Sequence, residues 1–243
     1  LCTSYHACYE AKIEREQTVG IWGAGPIGLL CAAWCQIMGA SRVIVIDNVM
    51  DRLNRAREYL GGVEIINFDE CDNVVSTVQD MCPGGIDAAI DCAGFRYTKT
   101  LLHKVERAIG LETDSSEVLN EMVKLVKKFG TIVLIADYAA YTNHFNVGGV
   151  MEKGIRLIGG GQAPVQKYWR DILTKYLQPG KLDKALKPIL THRFKLEDTP
   201  LVYKCFDMKE KGVIKTFIET KFSAPADPTI LPTLSTLAAS TNE

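Results

Sequence analysis

Short, dense apolar runs alternate along the first two thirds of the chain with longer stretches in which apolar positions recur every three to four residues. This alternation predicts strands at residues 18–22, 42–47, 63–67, 86–91, 131–136 and 154–158, and helices at 26–39, 49–60, 71–82 and 115–129. The runs Ile86-Asp87-Ala88-Ala89-Ile90-Asp91 and Thr131-Ile132-Val133-Leu134-Ile135 are nearly continuous in apolar residues. Such strands must be covered on both faces, which is the signature of a parallel sheet. Strands joined by crossover helices therefore predict an α/β fold with a doubly wound, six-stranded parallel sheet over residues 18–160. Residues 1–17 read as a short helical lead-in. Residues 162–177, 182–190 and 197–208 read as helices and 213–220 as a strand, while 223–243, rich in Ser, Thr, Pro and Ala, reads as a disordered tail.

Between the first strand and the first long helix lies Gly23-Ala24-Gly25-Pro26-Ile27-Gly28, and the second strand ends on Asp47, 19 residues beyond the last glycine. Strand, G-x-G-x-x-G, helix, strand and acid in this order form the fingerprint of a dinucleotide-binding Rossmann unit. Gly23 permits a tight turn, Gly25 lets a pyrophosphate approach the backbone, and Gly28 lets helix and strand pack closely. The helix N-terminus, with Pro26 and Ile27 in its first turn, supplies unpaired N–H groups and partial positive charge to phosphate. Asp47 accepts hydrogen bonds from ribose hydroxyls and repels a 2′-phosphate, so the expected cofactor is NAD, not NADP. Arg52, five residues on, is expected to cover the adenosine side, or else to be an ordinary solvated charge.

The bulk properties exclude several classes. The 243 residues carry a net charge of −1, so there is no basic field for nucleic acid. No apolar run has the length of a membrane span, so no membrane partner is expected. Eight scattered cysteines without a C-x-x-C read as reduced thiols in a cytoplasmic protein. No His or Cys pair has zinc-ligand spacing, so no metal site is expected from this chain alone. Residues 97–115 form a polar insertion with His103, Lys104, Glu106 and Arg107 after a strand end, where ligands bind in open sheets.

Several segments together resemble the medium-chain, zinc-dependent alcohol dehydrogenases, and most closely their formaldehyde dehydrogenase-like branch. They are Leu1-Cys2-Thr3-Ser4-Tyr5-His6-Ala7, the glycine motif with Asp47, Asp91-Cys92-Ala93-Gly94, and Glu106-Arg107-Ala108-Ile109-Gly110-Leu111-Glu112-Thr113-Asp114. Gly161-Gln162-Ala163-Pro164-Val165-Gln166-Lys167-Tyr168, Thr191-His192-Arg193-Phe194 and Val213-Ile214-Lys215 continue the likeness. The resemblance implies that residues 1–17 lead in from a catalytic domain, that 18–160 bind NAD, and that 161–222 are a C-terminal remnant of the catalytic domain. It implies that Thr3 lies near the nicotinamide and His6 near the ribose or a proton path, where the residues alone would suggest a helix N-cap and a hydrogen-bonded histidine. Cys92 and Ala93 would lie near the ribose, Ala136 and Tyr138 along the nicotinamide half, and Gly161 on the far loop. In that family the zinc ligands belong to a preceding segment, so zinc is expected only in a full-length parent and this chain alone is expected to be inactive.

The resemblance further implies a small alcohol or aldehyde-adduct substrate. It also implies a homodimer paired through the edge strand near Ile155. The alternative reading is a non-catalytic NAD-sensing or scaffold Rossmann domain.

Overall fold

The computed structural model describes residues 1–93, 108, 113–208, 210–223 and 235–236. The main sheet contains β1 (Thr18–Trp22), β2 (Arg42–Asp47), β3 (Val63–Asn67), β4 (Ile86–Asp91), β5 (Val126–Leu134) and β6 (Arg156–Gly159). Their order is β3-β2-β1-β4-β5-β6, and every pairing is parallel. The chain runs outward from β1 in one direction and, from β4 on, in the other. A crevice therefore opens between the carboxyl ends of β1 and β4, where such sheets bind ligands.

Successive strand residues point to opposite faces, and both faces are buried. Val19, Ile21, Val43, Val45 and Ile90 pack with α1 (Cys2–Ala11), α2 (Pro26–Met38) and α3 (Met50–Leu60). Trp22, Ile44, Ile46, Ile86 and Ala89 pack with α4 (Val74–Met81) and α5 (Glu117–Leu125). Each fully buried Ile, Leu or Val side chain contributes about 1.5–3 kcal/mol. Helix ends follow local chemistry. Asn73 caps α4 by accepting from the Val75 and Ser76 amides, and Gly39, at φ 104°, closes α2 in a left-handed turn.

Several boundaries depart from the sequence reading. The helix expected at 115–129 stops at Leu125, and β5 starts immediately at Val126 instead of residue 131. Two contacts decide this. Val126 pairs with Ile86 across a register shift, and the Lys153 ammonium donates to the carbonyls of Val123, Lys124 and Val126 at 2.7–3.0 Å. The edge strand expected at 154–158 begins at Arg156. Gly154 ends α6 (Val147–Lys153) in the left-handed region, and the Ile155 N–H donates to the Val150 carbonyl. Ile155 is thus a buried helix-closing residue and not a ladder residue.

The C-terminal part begins with α7 (Val165–Ile172), which continues as a π-helical turn over Leu173–Leu177. The helix expected at 182–190 is a single turn, α8 (Asp183–Leu186), and Leu190 opens an unforeseen strand, β7 (Leu190–Lys195). Tyr168, Ile172, Leu182, Ala185 and Ile189 join the core beneath α2. Then α9 (Thr199–Asp207), β8 (Lys215–Glu219) and β9 (Ser235–Thr236) build a separate small layer. Its sheet runs β8-β7-β9 over a cluster of Phe194, Val202, Cys205 and Val213. Within the expected disordered tail, residues 235–236 thus pair with β7, while 224–234 and 237–243 lie outside the described residues. Gly94, His103, Lys104, Glu106 and Arg107 also lie outside them, with most of the 97–115 insertion. No described helix is long and apolar enough to cross a membrane.

Candidate functional site

The glycine turn sits at the carboxyl end of β1. Gly23 has φ 102°, and a Cβ there would stand 3.0 Å from the backbone of Cys92 and Ala93. Its N–H donates to the Ile46 carbonyl at 2.7 Å, so the turn is stitched to β2. Gly25 is the N-cap of α2 and Pro26 its first residue, so no side chain caps the helix. The amides of the first turn lack intrahelical partners and form an anion-binding end. The space above Gly25 is open, with nothing within 4 Å of where a Cβ would stand. At Gly28 a Cβ would stand 1.8 Å from the Gly23 carbonyl oxygen. The three glycines therefore do different things: Gly23 turns, Gly25 leaves room, and Gly28 allows contact.

Asp47 is 5 % exposed, and its carboxylate accepts three backbone N–H groups: Ala24 at 2.6 Å, Asn48 at 2.7 Å and Val49 at 2.9 Å. It therefore ties the glycine turn to the end of β2 besides facing the crevice. A carboxylate offers about four lone-pair directions, so about one remains for a ligand hydroxyl. The sequence reading missed this bracing role, which depends on a contact 23 residues away. Arg52 lies in the first turn of α3, part-exposed, and its guanidinium makes no ion pair among the described residues. A narrow crevice lies beside Asp47, lined by Trp22, Gly23, Ile46, Phe68, Ala93 and Glu121. Trp22 donates its indole N–H to Glu121 at 2.9 Å across that wall.

On the other side of the turn, β4 ends at Asp91, which is fully buried. Its carboxylate accepts the Ala93 amide at 3.0 Å and the Tyr138 hydroxyl at 2.5 Å. Burial and the adjacent Asp91 push the Tyr138 phenol far above its ordinary value, so it stays a neutral donor. The Ala136 amide donates to the Asp91 carbonyl at 2.9 Å, and Gly160 donates to Leu134 at 2.7 Å, leaving Gly161 exposed just beyond β6. Cys92, Ala93, Ala136, Tyr138 and Gly161 thus all follow the carboxyl ends of neighbouring strands. Asp91, which the sequence reading named within the Asp91-Cys92-Ala93-Gly94 segment but gave no role, is the organiser here. Its signal was the same as that of Asp47: an acid closing an apolar strand.

Thr3 and His6 lie on α1, which packs against α2. The α1 N-cap is Leu1, so Thr3 is not the capping residue, and Thr3 is part-exposed. His6 is buried with Nδ1 3.0 Å from the Tyr168 hydroxyl of α7 and 3.7 Å from Glu10. Around it Tyr5, Tyr9, Trp34, Tyr168 and Tyr176 stack with ring centroids 5.0–6.3 Å apart. Among the described residues no three His, Cys, Asp or Glu side chains converge in a way that could hold a metal ion.

Residues 26–108 match the zinc-binding dehydrogenase family. A zinc-type alcohol dehydrogenase-like protein of Schizosaccharomyces pombe is 39 % identical over 90 % of this chain and 51 % of its own length. A glutathione-independent formaldehyde dehydrogenase of Bacillus subtilis is 28 % identical over 89 % of this chain and 52 % of its own. The chain therefore spans about half the length of the curated relatives it matches. Among solved structures, alcohol dehydrogenase TADH from Thermus sp. ATN1 superposes with a TM-score of 0.71 at 25 % identity, over 89 % of this chain and 56 % of that one. Two structures of the same fold carry cofactors. A short chain alcohol dehydrogenase from E. coli CFT073 holds NADH (TM-score 0.69, 20 % identity, 90 % and 57 % covered). A zinc-binding dehydrogenase from Sinorhizobium meliloti 1021 holds NADP (TM-score 0.68, 20 % identity, 90 % and 57 % covered).

Proposed function

Since the chain belongs to the medium-chain, zinc-type alcohol dehydrogenase family, we propose that it is the NAD-binding part of an oxidoreductase acting on an alcohol or a formaldehyde-type aldehyde adduct. The observation that carries this reading is the linked pair of glycine turn and Asp47. The open space above Gly25 fits a pyrophosphate against the α2 N-terminus, and the Asp47 carboxylate stands at the ribose end of the crevice. The bound nicotinamide would accept hydride from the substrate carbon. The residues of this chain hold the dinucleotide: α2 binds the phosphates, Asp47 selects the diol, and the segment from Ala136 to Tyr138 borders the nicotinamide half. Thr3 is assigned to the neighbourhood of the nicotinamide and His6 to the ribose or a proton path, with His6 held in orientation by Tyr168.

Among the described residues the Asp47 carboxylate accepts backbone N–H groups and makes no ion pair, which favours NAD over NADP. Titration of nicotinamide fluorescence should show tighter binding of NADH than of NADPH. Equal or tighter NADPH binding would refute the assignment.

The zinc implied by the family name finds no ligand set among the described residues, so no step is derived through it. Assayed alone with zinc, NAD and formaldehyde or a short alcohol, the chain should show no turnover above background. Zinc-dependent turnover would locate a ligand set that this reading denies.

We assign the outer edge of β6 to a two-fold homodimer contact. As an edge strand it offers unpaired backbone groups. Leu157 is 40 % exposed, and Phe129 and Met151 nearby are 80 % and 76 % exposed. Because the Ile155 N–H serves the α6 end, proline at that position would test helix closure, and Leu157→Lys is the better probe of the edge. Light scattering at tens of micromolar, roughly the range for weak dimers, should give a dimer that Leu157→Lys dissociates. A wild-type monomer at that concentration overturns the assignment.

A further inference from the structure

Four cysteines that the dinucleotide reading leaves mostly unused converge beneath the glycine turn. Cys8 comes from α1, Cys31 and Cys35 from successive turns of α2, and Cys92 from the end of β4. They meet in two sulfur–sulfur contacts, Cys8 to Cys35 at 3.7 Å and Cys31 to Cys92 at 3.8 Å. All are free thiols. Their access differs. Cys8, Cys31 and Cys35 are fully buried, whereas Cys92 is part-exposed. Cys92 also lies where the loop meets the helix. Its Cβ is 3.6 Å from the place a Gly28 Cβ would occupy, and its backbone is 3.0 Å from the equivalent point at Gly23. Because Gly28 carries no side chain, the Cys92 Cβ can lie close against the start of α2.

We propose that Cys31 and Cys92 are a peroxide-sensitive dithiol, oxidised to a disulfide that ties α2 to β4 across the floor of the glycine turn and hindered by dinucleotide bound above it. The hindrance by dinucleotide rests on the function proposed above; the disulfide does not. In the first step a Cys92 thiolate attacks one oxygen of hydrogen peroxide, the O–O bond breaks, and the departing hydroxide takes the thiol proton as water. In the second, the Cys31 sulfur attacks the resulting sulfenic sulfur, the S–O bond breaks, and a second water leaves with the Cys31 proton. Two thiols and one peroxide give one disulfide and two waters. The sulfurs must close from contact distance to a bond of about 2.05 Å, which needs side-chain rotation and a small shift of α2 toward β4. Thiol donation from Cys8 and Cys92 favours the thiolate of Cys31, the attacking form for the second step. The same contact and burial hold the Cys92 thiol well above its ordinary range, so that its deprotonation makes the first step the slow one. The Cys8–Cys35 pair has the same spacing but no exposed member for the oxidant to reach.

Peptide mapping decides this. Reduced protein is freed of reductant, treated with hydrogen peroxide, capped with N-ethylmaleimide, digested and analysed by mass. The expected product is a dithiothreitol-reversible peptide pair joined through Cys31 and Cys92. It should be absent in Cys92→Ser and retained in Cys35→Ala. Capped Cys31 and Cys92 after treatment, a Cys8–Cys35 link in their place, or Cys92 oxidised without a crosslink would each overturn the proposal. The wild-type map suffices even where a variant does not fold. Saturating NADH should slow crosslinking about fivefold or more, at the low end of ordinary site coupling. NADH that binds by nicotinamide fluorescence but does not slow the reaction overturns the placement in the loop floor. If NADH fails to bind at all, the dinucleotide reading falls and the map alone still judges the disulfide.

Discussion

Asp47→Ala is expected to weaken NADH binding by about 1.5–3 kcal/mol, roughly 10- to 150-fold, through loss of a charge-assisted acceptor. The structure adds a second effect. The same carboxylate receives the Ala24, Asn48 and Val49 amides, so the alanine variant also releases the glycine turn from the end of β2. A buried amide left without an acceptor costs about 1–3 kcal/mol. The alanine variant should therefore melt earlier as well as bind more weakly. Asp47→Asn separates the two effects. It keeps one acceptor oxygen for the brace and loses the charge, so stability should fall less while the preference for NADH over NADPH shrinks. Parallel thermal melts and titrations of both cofactors read this out. An Asp47→Asn protein with an unchanged NADH to NADPH ratio would show that the carboxylate does not select the cofactor.

What the sequence made legible follows from the range of the interactions involved. The segment from Thr18 to Asp47 was readable almost to the residue because each decision in it is local: apolar β-formers, a glycine turn, a proline at the first helical position and a glycine at the helix end. The start of β5 was not readable, because the helical periodicity of residues 117–125 continues toward Gly130. The stop comes from Lys153, some thirty residues later in the chain, gathering the carbonyls of Val123, Lys124 and Val126. Leu190–Lys195 alternates weakly and is short. Its identity as a strand rests on partners at 215–219 and 235–236. The site shows the same division. The glycines and Asp47 announce themselves by spacing. The hydrogen bond of Tyr138 to Asp91 spans 47 residues and that of His6 to Tyr168 spans 162, and no pattern within a window could reveal either. The resemblance supplied those positions as a set, and the structure shows what holds each one.

The glycines allow the sharpest separation of folding from binding. Gly28→Ala would put a methyl carbon 1.8 Å from the Gly23 carbonyl oxygen and 2.9 Å from its carbon. The obstacle is backbone, so the turn itself must move away from α2. Overpacking of this kind costs about 1–3 kcal/mol, and the displaced turn no longer presents the helix end to phosphate. Gly28→Ala should therefore lower the melting temperature and bring NADH binding down at least tenfold together. Gly25→Ala is different. Its φ is −69°, which alanine adopts without strain, and the added methyl meets nothing within 4 Å. In the free protein it should be neutral to within about 0.5 kcal/mol, as for an unremarkable surface change. The same methyl occupies the space through which a pyrophosphate would approach the α2 N-terminus, so NADH binding should fall at least tenfold with stability unchanged. A Gly25→Ala protein that binds NADH as the wild type does would mean that the phosphates do not lie over this turn, and the proposed orientation of the dinucleotide would have to be abandoned.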